Sequence, residues 1–253
     1  MNESDPTQNQ ENLHDIDMPP DKKPAKKPLN RLPKETGYFW LDVALNIIII
    51  VALVFIIRSY VISPFQVYGP SMCNTFNFFN GQCQNTYGEY LIVNKFGYQN
   101  FFGWQVGLPQ RGDIIVFHPP GNDAEFFIKR VIGLPGETVK LQDGKVYIYN
   151  KDNPQGFELN EPYLSDENKG NTRPLFSGKS VFEVPDGGYF VMGDNRTHST
   201  DSRICFSETA GASACTGDQT PYLTVKHIEG KAWVALWPLS KLAILPDPAY
   251  QTY

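Results

Sequence analysis

The feature that most constrains this chain is an apolar run close to its amino terminus. Residues 39–57 are 19 in number, and only Asp42 and Asn46 interrupt their apolar character. A helix needs about 20 such residues to cross the hydrocarbon core of a bilayer. The aromatic residues at its start, Tyr38, Phe39 and Trp40, are typical of a membrane interface. The run therefore predicts a membrane-spanning helix over residues 37–58.

The run has two other interpretations. A cleaved signal peptide does not fit well, because the preceding region is long and contains acidic as well as basic residues, and no small-x-small cleavage site follows. A buried core helix is the other interpretation, but the run is apolar on all sides, as expected of a span that faces lipid. A retained single-pass anchor is the better interpretation.

The distribution of basic residues predicts the orientation of this anchor. Six basic residues precede it, namely Lys22, Lys23, Lys26, Lys27, Arg31 and Lys34. After it comes Arg58, and no further basic residue appears before Lys95. Because cytoplasmic flanks are enriched in Lys and Arg, we expect residues 1–36 to be a cytoplasmic tail, disordered because it is polar. Residues 59–253 would then be extracytoplasmic, and the membrane would be the plasma membrane.

The extracytoplasmic part has the pattern of an antiparallel β-sheet domain. Short apolar runs end at Gly, Pro or Asp, and "ETVKLQDGKVYIYN" consists of two alternating runs around Asp143-Gly144, a two-residue hairpin signal. Residues 150–180 are polar and rich in turn residues; we call them the excursion. The sequence predicts a mainly β fold behind one transmembrane helix, with a smaller inserted, non-catalytic region over about 143–185.

Charge and cysteine content narrow the function classes. With 22 basic and 27 acidic residues, the net charge of −5 makes nucleic acid an improbable partner. The four cysteines form no C-x-x-C pair, which argues against a zinc site. They fall into two pairs ten residues apart, Cys73 with Cys83 and Cys205 with Cys215. Four cysteines allow three connectivities, and these local pairings fit an oxidising compartment.

A serine after a Gly-Pro turn, Ser71 in "VYGPSMCNT", becomes a nucleophile only if a base is available. A Ser-His-Asp triad would need His198 or His227, and nothing in the sequence marks either one. In "EFFIKRVIG", strand alternation places Phe127, Lys129 and Val131 on one face, where apolar neighbours would lower the lysine pKa. Alternation alone favours a solvated lysine at a strand edge.

Four separated stretches resemble the conserved boxes of bacterial type I signal peptidases, Ser/Lys enzymes that remove signal peptides from exported proteins. They are "GPSM", "GEYLIVNK", "RGDIIVF" continuing to "FIKRVIGLPGE", and "GDNRTHSTDSR", in the order of the family. The resemblance covers roughly residues 38–238. It identifies Lys129 as more than a solvated lysine.

The resemblance implies a role for each matching residue. Ser71 would be the nucleophile, with its own backbone N–H as an oxyanion donor, and Lys129 the general base. Ser199 would hydrogen-bond the lysine amine. The supporting residues would be Met72 beneath the serine turn, Asp201 and Arg203 as an ion pair, and Asp194 and Arg196 shaping the same loop. No metal or cofactor is implied, and the partners would be the lipid bilayer and secretory preproteins with small side chains at the first and third positions before the cut.

The chain departs from the family pattern around the nucleophile. Gly69 stands where some relatives have a hydroxyl donor, and Asn74 stands where a proline is usual before Thr75. A Cys73–Cys83 bridge would then replace proline in holding the turn. An aromatic-rich stretch that includes Phe102 and Trp104 predicts a loop at the lipid headgroups, although Phe96 and Phe101 are expected in the core.

Two rival functions share part of this pattern. A membrane-tethered β module that binds a partner would explain the anchor and the strands but not the serine and lysine boxes. A Ser/Lys autoprotease of the kind found in SOS-response repressors shares the catalytic pair. Those proteins are soluble and carry a DNA-binding helix-turn-helix, where this chain has a polar tail and an apolar run.

Overall fold

The structure is a computed structural model that describes residues 35–98, 107–175, 178–207 and 219–246. Most of the predicted 1–36 tail therefore lies outside the described residues. Helix α1 spans Glu35–Ile56, a π-helical turn follows over Ile57–Val61, and 3-10 turns cover Ser202–Ile204, Val225–His227 and Leu239–Lys241. The strands are β1 (Ile62–Tyr68), β2 (Phe78–Phe79), β3 (Gln82–Cys83), β4 (Tyr87–Asn94), β5 (Ile114–Phe117), β6 (Phe127–Gly133), β7 (Thr138–Gln142), β8 (Lys145–Tyr149), β9 (Phe157–Glu158), β10 (Val181–Glu183), β11 (Gly188–Met192), β12 (Leu223–Thr224), β13 (Ile228–Trp237) and β14 (Ala243–Ile244).

Helix α1 is built from the apolar run that the sequence singled out. Its 22 residues would be about 33 Å long at 1.5 Å per residue, which matches a hydrocarbon core of about 30 Å. Among the described residues, one helix is long and apolar enough to cross a membrane by length and composition, over Tyr38–Val61. The large apolar side chains of this segment are exposed to solvent, as expected of a surface made for lipid.

The main body is a curled antiparallel sheet of eight strands in the order β1-β4-β13-β5-β6-β11-β12, with β14 added to β13. β13 is long enough to pair with β4, β5 and β14, and its pairings with β4 and β5 are irregular at several points. Irregularities of this kind bend a strand and increase its twist. The mainly β prediction is confirmed.

A smaller sheet has the strand order β10-β7-β8-β9. The β7–β8 hairpin turns at Asp143-Gly144 as predicted, and both residues have positive φ, 50° and 78°, as a two-residue hairpin turn of type I′ requires. A side chain at Gly144 would overlap the Gly170 carbonyl, so this turn lies directly against the excursion. The small sheet begins at Thr138, slightly before the inserted region that the sequence predicted.

Strands β6 and β11 are buried on both faces because each face packs on a different apolar cluster. Ile132 and Phe190 belong to the cluster that includes the small sheet. Val131 and Val191 belong to a second cluster beneath the main sheet. Since neighbouring residues of a strand point to opposite faces, Lys129 and Arg130 enter two different environments.

Candidate active site

The turn that carries Ser71 follows the end of β1. Gly69 adopts a positive φ of 79°, a conformation available to glycine at little cost, and its N–H donates to the Thr86 carbonyl at 3.1 Å. The next residue after the serine, Met72, is 1% exposed in the core. The turn is therefore held by its backbone and by a buried side chain, and Ser71 remains at the surface of a cleft.

Lys129 lies directly beside this serine. Its Nζ is 2.9 Å from the Ser71 Oγ and 2.9 Å from the Ile128 carbonyl oxygen. The side chain is 4% exposed, and its Nζ is 5.1 Å from the centre of the Phe127 ring. The solvated lysine that alternation alone favoured is therefore wrong, because the strand is buried on both faces.

Burial lowers the pKa of Lys129 from 10.5 to about 8, and the negative charges of Asp201 and Asp194 oppose that shift in part. At a pKa of about 8, roughly one such lysine in ten is neutral at pH 7, against roughly one in three thousand at 10.5. A neutral amine within hydrogen-bonding distance of a hydroxyl can accept its proton.

Ser199 lies close to this pair but does not make the contact that the resemblance implied. Its Oγ is buried and has no hydrogen-bond partner of standard geometry within the described ranges, while Lys129 already contacts Ser71 and the Ile128 carbonyl. The Ser199 hydroxyl is instead near the Asp201 carboxylate and helps to lower the pKa of that group. The predicted Ser199–Lys129 hydrogen bond is thus not formed in this structure.

Gly193 explains how the serine turn and the Ser199 loop approach so closely. A side chain at Gly193 would overlap both the Ser199 Oγ and the Ser71 carbonyl oxygen. The Gly193 N–H donates to the Asp201 Oδ2 at 3.0 Å. A glycine is required here by space, because its φ is not positive.

Asp201 and Arg203 form the ion pair that the resemblance implied. The Arg203 Nε and Nη2 donate to the two carboxylate oxygens of Asp201 at 2.9 and 2.8 Å, and both side chains are fully buried. Burial alone would raise the pKa of Asp201, but the Arg203 charge and hydrogen bonds outweigh it, so the pKa is lowered. Asp201 therefore stays ionised, and its negative charge acts on Lys129.

Asp194 and Arg196 lie in the same loop, but they are not each other's main partners. Asp194 accepts two hydrogen bonds from Arg130, at 2.8 and 2.6 Å, and one from the Thr75 hydroxyl at 2.5 Å. Arg196 instead binds Glu161 in the excursion through both of its terminal nitrogens. Sequence reasoning missed Arg130 and Glu161. The only sequence signal for Arg130 was a charge within an otherwise apolar strand, and Glu161 was one charge among many in a polar segment.

Two asparagines that sequence reasoning also missed hold the serine turn. Asn195 donates its N–H to the Ser71 carbonyl at 3.0 Å and its side-chain amide to the Pro70 carbonyl at 3.1 Å. Asn77 is fully buried, and its amide donates to the Gly69 carbonyl at 3.0 Å. Asn195 stands inside the "GDNR" stretch, whereas nothing local marks Asn77.

The serine turn is also cross-linked. Cys73 and Cys83 form a disulfide that joins the turn to the β2–β3 hairpin, as the sequence predicted. Cys205 is buried and is not free. Its predicted partner, Cys215, lies outside the described residues, so the Cys205–Cys215 pairing stays a prediction.

A cleft of about 590 Å³ opens beside the Ser71 hydroxyl and the Lys129 amine. Its apolar wall includes Phe65, Tyr68, Tyr87, Leu91, Phe126 and Ile128. His198 also lines it, but its Nδ1 contacts the Thr197 hydroxyl at 2.9 Å. The Nδ1 of His227 accepts from the Thr224 N–H at 3.0 Å. Lys129 is the titratable group in contact with the serine hydroxyl.

The predicted aromatic loop is described only at its start. Phe96 is 61% exposed, so its expected core position is wrong, whereas Tyr98 is 9% exposed and its hydroxyl donates to Asp113 at 3.2 Å. Phe101, Phe102 and Trp104 lie outside the described residues. Their contact with lipid stays a prediction.

Comparison with known proteins agrees with this geometry. The family model described as signal peptidase, peptidase S26, matches residues 40–237. Signal peptidase I U of Bacillus subtilis is 37% identical over 64% of this chain and 75% of its own length. Signal peptidase I of Pseudomonas fluorescens is 31% identical over 77% of this chain and 72% of its own length. A signal peptidase I crystal structure from Enterococcus faecalis aligns with 49% of this chain and 97% of its own, at 33% identity and a TM-score of 0.35.

The chain belongs to the signal peptidase family, peptidase S26, because the family model matches well over half of it. It is accordingly a membrane-associated serine endopeptidase that cleaves signal peptides. The tethered binding module and the soluble autoprotease are both set aside by this membership.

Proposed function

We propose that Ser71 and Lys129 carry out the cleavage of signal peptides, as nucleophile and general base. The observation that carries this proposal is the 2.9 Å distance between the Ser71 Oγ and the Nζ of a lysine that is 4% exposed. Burial without a contacting carboxylate favours the neutral amine, and the amine is within reach of the proton it must take.

In the reaction, neutral Lys129 accepts the Ser71 proton as Oγ attacks the scissile carbonyl carbon. The tetrahedral intermediate collapses when the C–N bond breaks and the amide nitrogen leaves with the proton held by Lys129. Lys129, neutral again, then takes a proton from water, whose oxygen attacks the acyl ester. The second tetrahedral intermediate releases the Ser71 oxygen, which recovers its proton from Lys129.

The developing oxyanion would be bound by the backbone N–H of Ser71. Within the residues described, this N–H donates no hydrogen bond to another backbone group, so it is available to a substrate oxygen. Gly69 offers no hydroxyl at the position where some relatives have one, and a backbone group or water would complete the site. Met72 would support the serine. The part of the site around Lys129 would be shaped by Ser199, Asp194, Arg196, Asp201 and Arg203.

The substrates would be preproteins with small side chains at the first and third positions before the cut. The cleft wall is apolar and close to the serine, which favours small uncharged side chains. β1 is the edge strand of the main sheet, so an extended peptide would add to it through backbone hydrogen bonds.

The domain order would be a cytoplasmic tail over 1–36, an anchor over 37–58 and an extracytoplasmic peptidase domain over 59–253 in the plasma membrane. The basic residues before the apolar helix and the Cys73–Cys83 disulfide support this orientation. Protease added outside spheroplasts should digest the domain and spare a tag at the amino terminus. Protection of the domain instead would reverse the assigned topology.

The catalytic assignment is tested with Ser71→Ala and Lys129→Ala in the full-length protein in detergent or proteoliposomes. Each variant should cut an added preprotein at least about a hundredfold more slowly, the lower bound for loss of a general base, while still unfolding in a cooperative thermal transition. Lys145→Ala, on an exposed ion pair, is the control and should cut normally. Near-normal turnover by either active-site variant would refute the Ser/Lys assignment.

A further inference from the structure

The excursion, residues 150–180, reaches into the loop that carries Ser199 and Asp201. The Arg196 Nη1 donates to the Glu161 Oε2 at 3.0 Å, and Nη2 donates to the other carboxylate oxygen. The side chains are 0% and 8% exposed. Burial alone would lower the pKa of Arg196, but the Glu161 charge outweighs burial and raises it. The buried charge of Arg196 is therefore compensated inside the protein by Glu161.

Three further contacts join the excursion to the same loop. The buried Asn168 side chain accepts the Arg196 N–H at 2.7 Å, and the Thr172 hydroxyl accepts from the Arg196 Nη1 at 2.7 Å. Arg203 donates to the Arg173 carbonyl at 3.2 Å. The excursion thus supplies partners to both arginines of the loop that holds Ser199.

Tyr163 extends this network to the other side of the active site. Its hydroxyl donates to the Glu161 Oε1 at 2.8 Å, and the Arg130 guanidinium carbon lies 3.8 Å from the centre of its ring. Arg130 in turn binds Asp194, which accepts from Thr75 just after the nucleophile. One polar network therefore runs from Glu161 to the Ser199 loop and to the serine turn.

We propose that Glu161 is a positioning residue for the acyl-transfer reaction, which it serves by fixing Arg196 and with it the 193–203 loop. This inference rests on the Ser71/Lys129 function proposed above. It assigns a task to the region that the sequence suggested was non-catalytic: the excursion fixes the loop whose Ser199 and Asp201 lie near Lys129, while none of the described residues of the excursion lines the substrate cleft.

The geometry favours positioning over general stabilisation. A buried ion pair on its own often adds no more stability than apolar packing would. Here, however, two buried arginines of the 193–203 loop, Arg196 and Arg203, donate to four residues of the excursion, namely Glu161, Asn168, Thr172 and Arg173. Gly193 is packed without spare space against both the Ser199 hydroxyl and the Ser71 carbonyl. A small shift of the loop therefore displaces the groups around the lysine.

The test is Glu161→Gln, which keeps the shape of the side chain and removes its charge. We expect kcat on a preprotein to fall about tenfold or more, with KM within about twofold of wild type. Glu158→Gln is the matched control, because Glu158 pairs with Lys145 on the exposed side of the small sheet, and its kcat should be unchanged. A normal kcat for Glu161→Gln would overturn the inference.

A double-mutant cycle with Ser199→Ala distinguishes positioning from general loss of structure. If Glu161 acts through the Ser199 loop, Glu161→Gln should cost much less in the Ser199→Ala background than alone. Additive losses would overturn the proposal. Should Glu161→Gln fail to fold, Thr172→Val removes one hydroxyl at constant shape, and a kcat loss of about two- to fivefold with unchanged melting temperature is expected; no loss overturns the proposal.

Ser71→Ala in the same assay keeps the two proposals separate. An inactive Ser71→Ala with a fully active Glu161→Gln would retain the catalytic assignment and reject only the role of the excursion. An active Ser71→Ala would reject the catalytic assignment itself, whatever Glu161→Gln does.

Discussion

The two faces of strand β6 treat a buried cation in opposite ways. Lys129 and Arg130 are neighbours and are 4% and 5% exposed. Arg130 faces Asp194 and forms a two-pronged ion pair with it. Lys129 faces a serine hydroxyl and a carbonyl oxygen, with no carboxylate in hydrogen-bond contact among the described residues. The Asp194 carboxylate compensates the charge of the arginine, which a guanidinium keeps in any environment, whereas burial without such a contact lowers the pKa of the lysine.

The arginines behind the active site also matter to the lysine. Asp201 and Asp194 both raise the pKa of Lys129 and thus work against the neutral amine. Each of these carboxylates is bound by an arginine, Arg203 in one case and Arg130 in the other. The positive partner offsets much of each negative charge at the lysine. The ion pairs behind the site therefore help to keep Lys129 a base.

Replacing Lys129 by the arginine found at the neighbouring position should have the largest effect. Lys129→Arg should lower kcat/KM for preprotein cleavage by about 10²–10⁴-fold, because a guanidinium stays protonated and cannot act as a base. Lys145→Arg, at an exposed ion pair, should leave the rate unchanged. Cleavage by Lys129→Arg at a comparable rate would remove the distinction between the two faces.

Removing Arg130 should lower the free energy of unfolding. Arg130→Gln leaves the Asp194 carboxylate, which is fully buried, without its counter-ion, and breaking such a pair costs about 3–5 kcal/mol of unfolding free energy. Urea unfolding measures this loss. In the folded fraction the uncompensated carboxylate should also move the pH dependence of activity to higher pH. A variant as stable as wild type would show that Asp194 does not depend on Arg130.

Removing Lys129 should instead increase the free energy of unfolding. The pKa of Lys129 falls from 10.5 in the unfolded chain to about 8 in the folded protein. Below pH 8 the buried lysine is therefore protonated in an unfavourable environment, which lowers the free energy of unfolding by about 3 kcal/mol. This penalty decreases as pH rises from 8 to 10.5 and is absent above. Lys129→Met should therefore be more stable than wild type at pH 7 by up to about 3 kcal/mol, with the difference shrinking toward pH 10.5. A difference independent of pH would contradict the lowered pKa.

The disulfide behind the nucleophile should have the smallest effect. Replacing Cys73 and Cys83 by serine opens a loop with a sequence separation of 10, which corresponds to about 2–3 kcal/mol of unfolding free energy. Because Asn195 and Asn77 hold the turn independently, cleavage should decrease by less than about tenfold. Complete inactivity of a folded double variant would show that the bridge, rather than the asparagines, sets the turn.

The features that the sequence predicted correctly are those that depend on local patterns of residues. The apolar run became α1, and Asp143-Gly144 became the turn between β7 and β8. The burial of Lys129 could be suspected from alternation but needed a second packed layer, which alternation does not reveal. It was the resemblance of separated boxes that joined Lys129 to Ser71.

The features that were missed are contacts between distant parts of the chain. Arg130 and Asp194 are 64 residues apart, and Glu161 and Arg196 are 35 apart. No periodicity encodes such pairs, because each charge on its own is typical of a solvated surface. The exposed Phe96 was misplaced for a different reason, because hydrophobicity alone does not tell which aromatic residues the core can hold.

The central claim is that Lys129 acts as a neutral base, and the pH dependence of kcat/KM tests it most directly because it reports the groups of the free enzyme. For the full-length protein on a preprotein substrate, kcat/KM should rise with pH along a limb with an apparent pKa of about 8, the value to which burial lowers Lys129. A profile that is flat from pH 7 to 9.5, or a limb near the ordinary lysine pKa of about 10.4, would contradict the account.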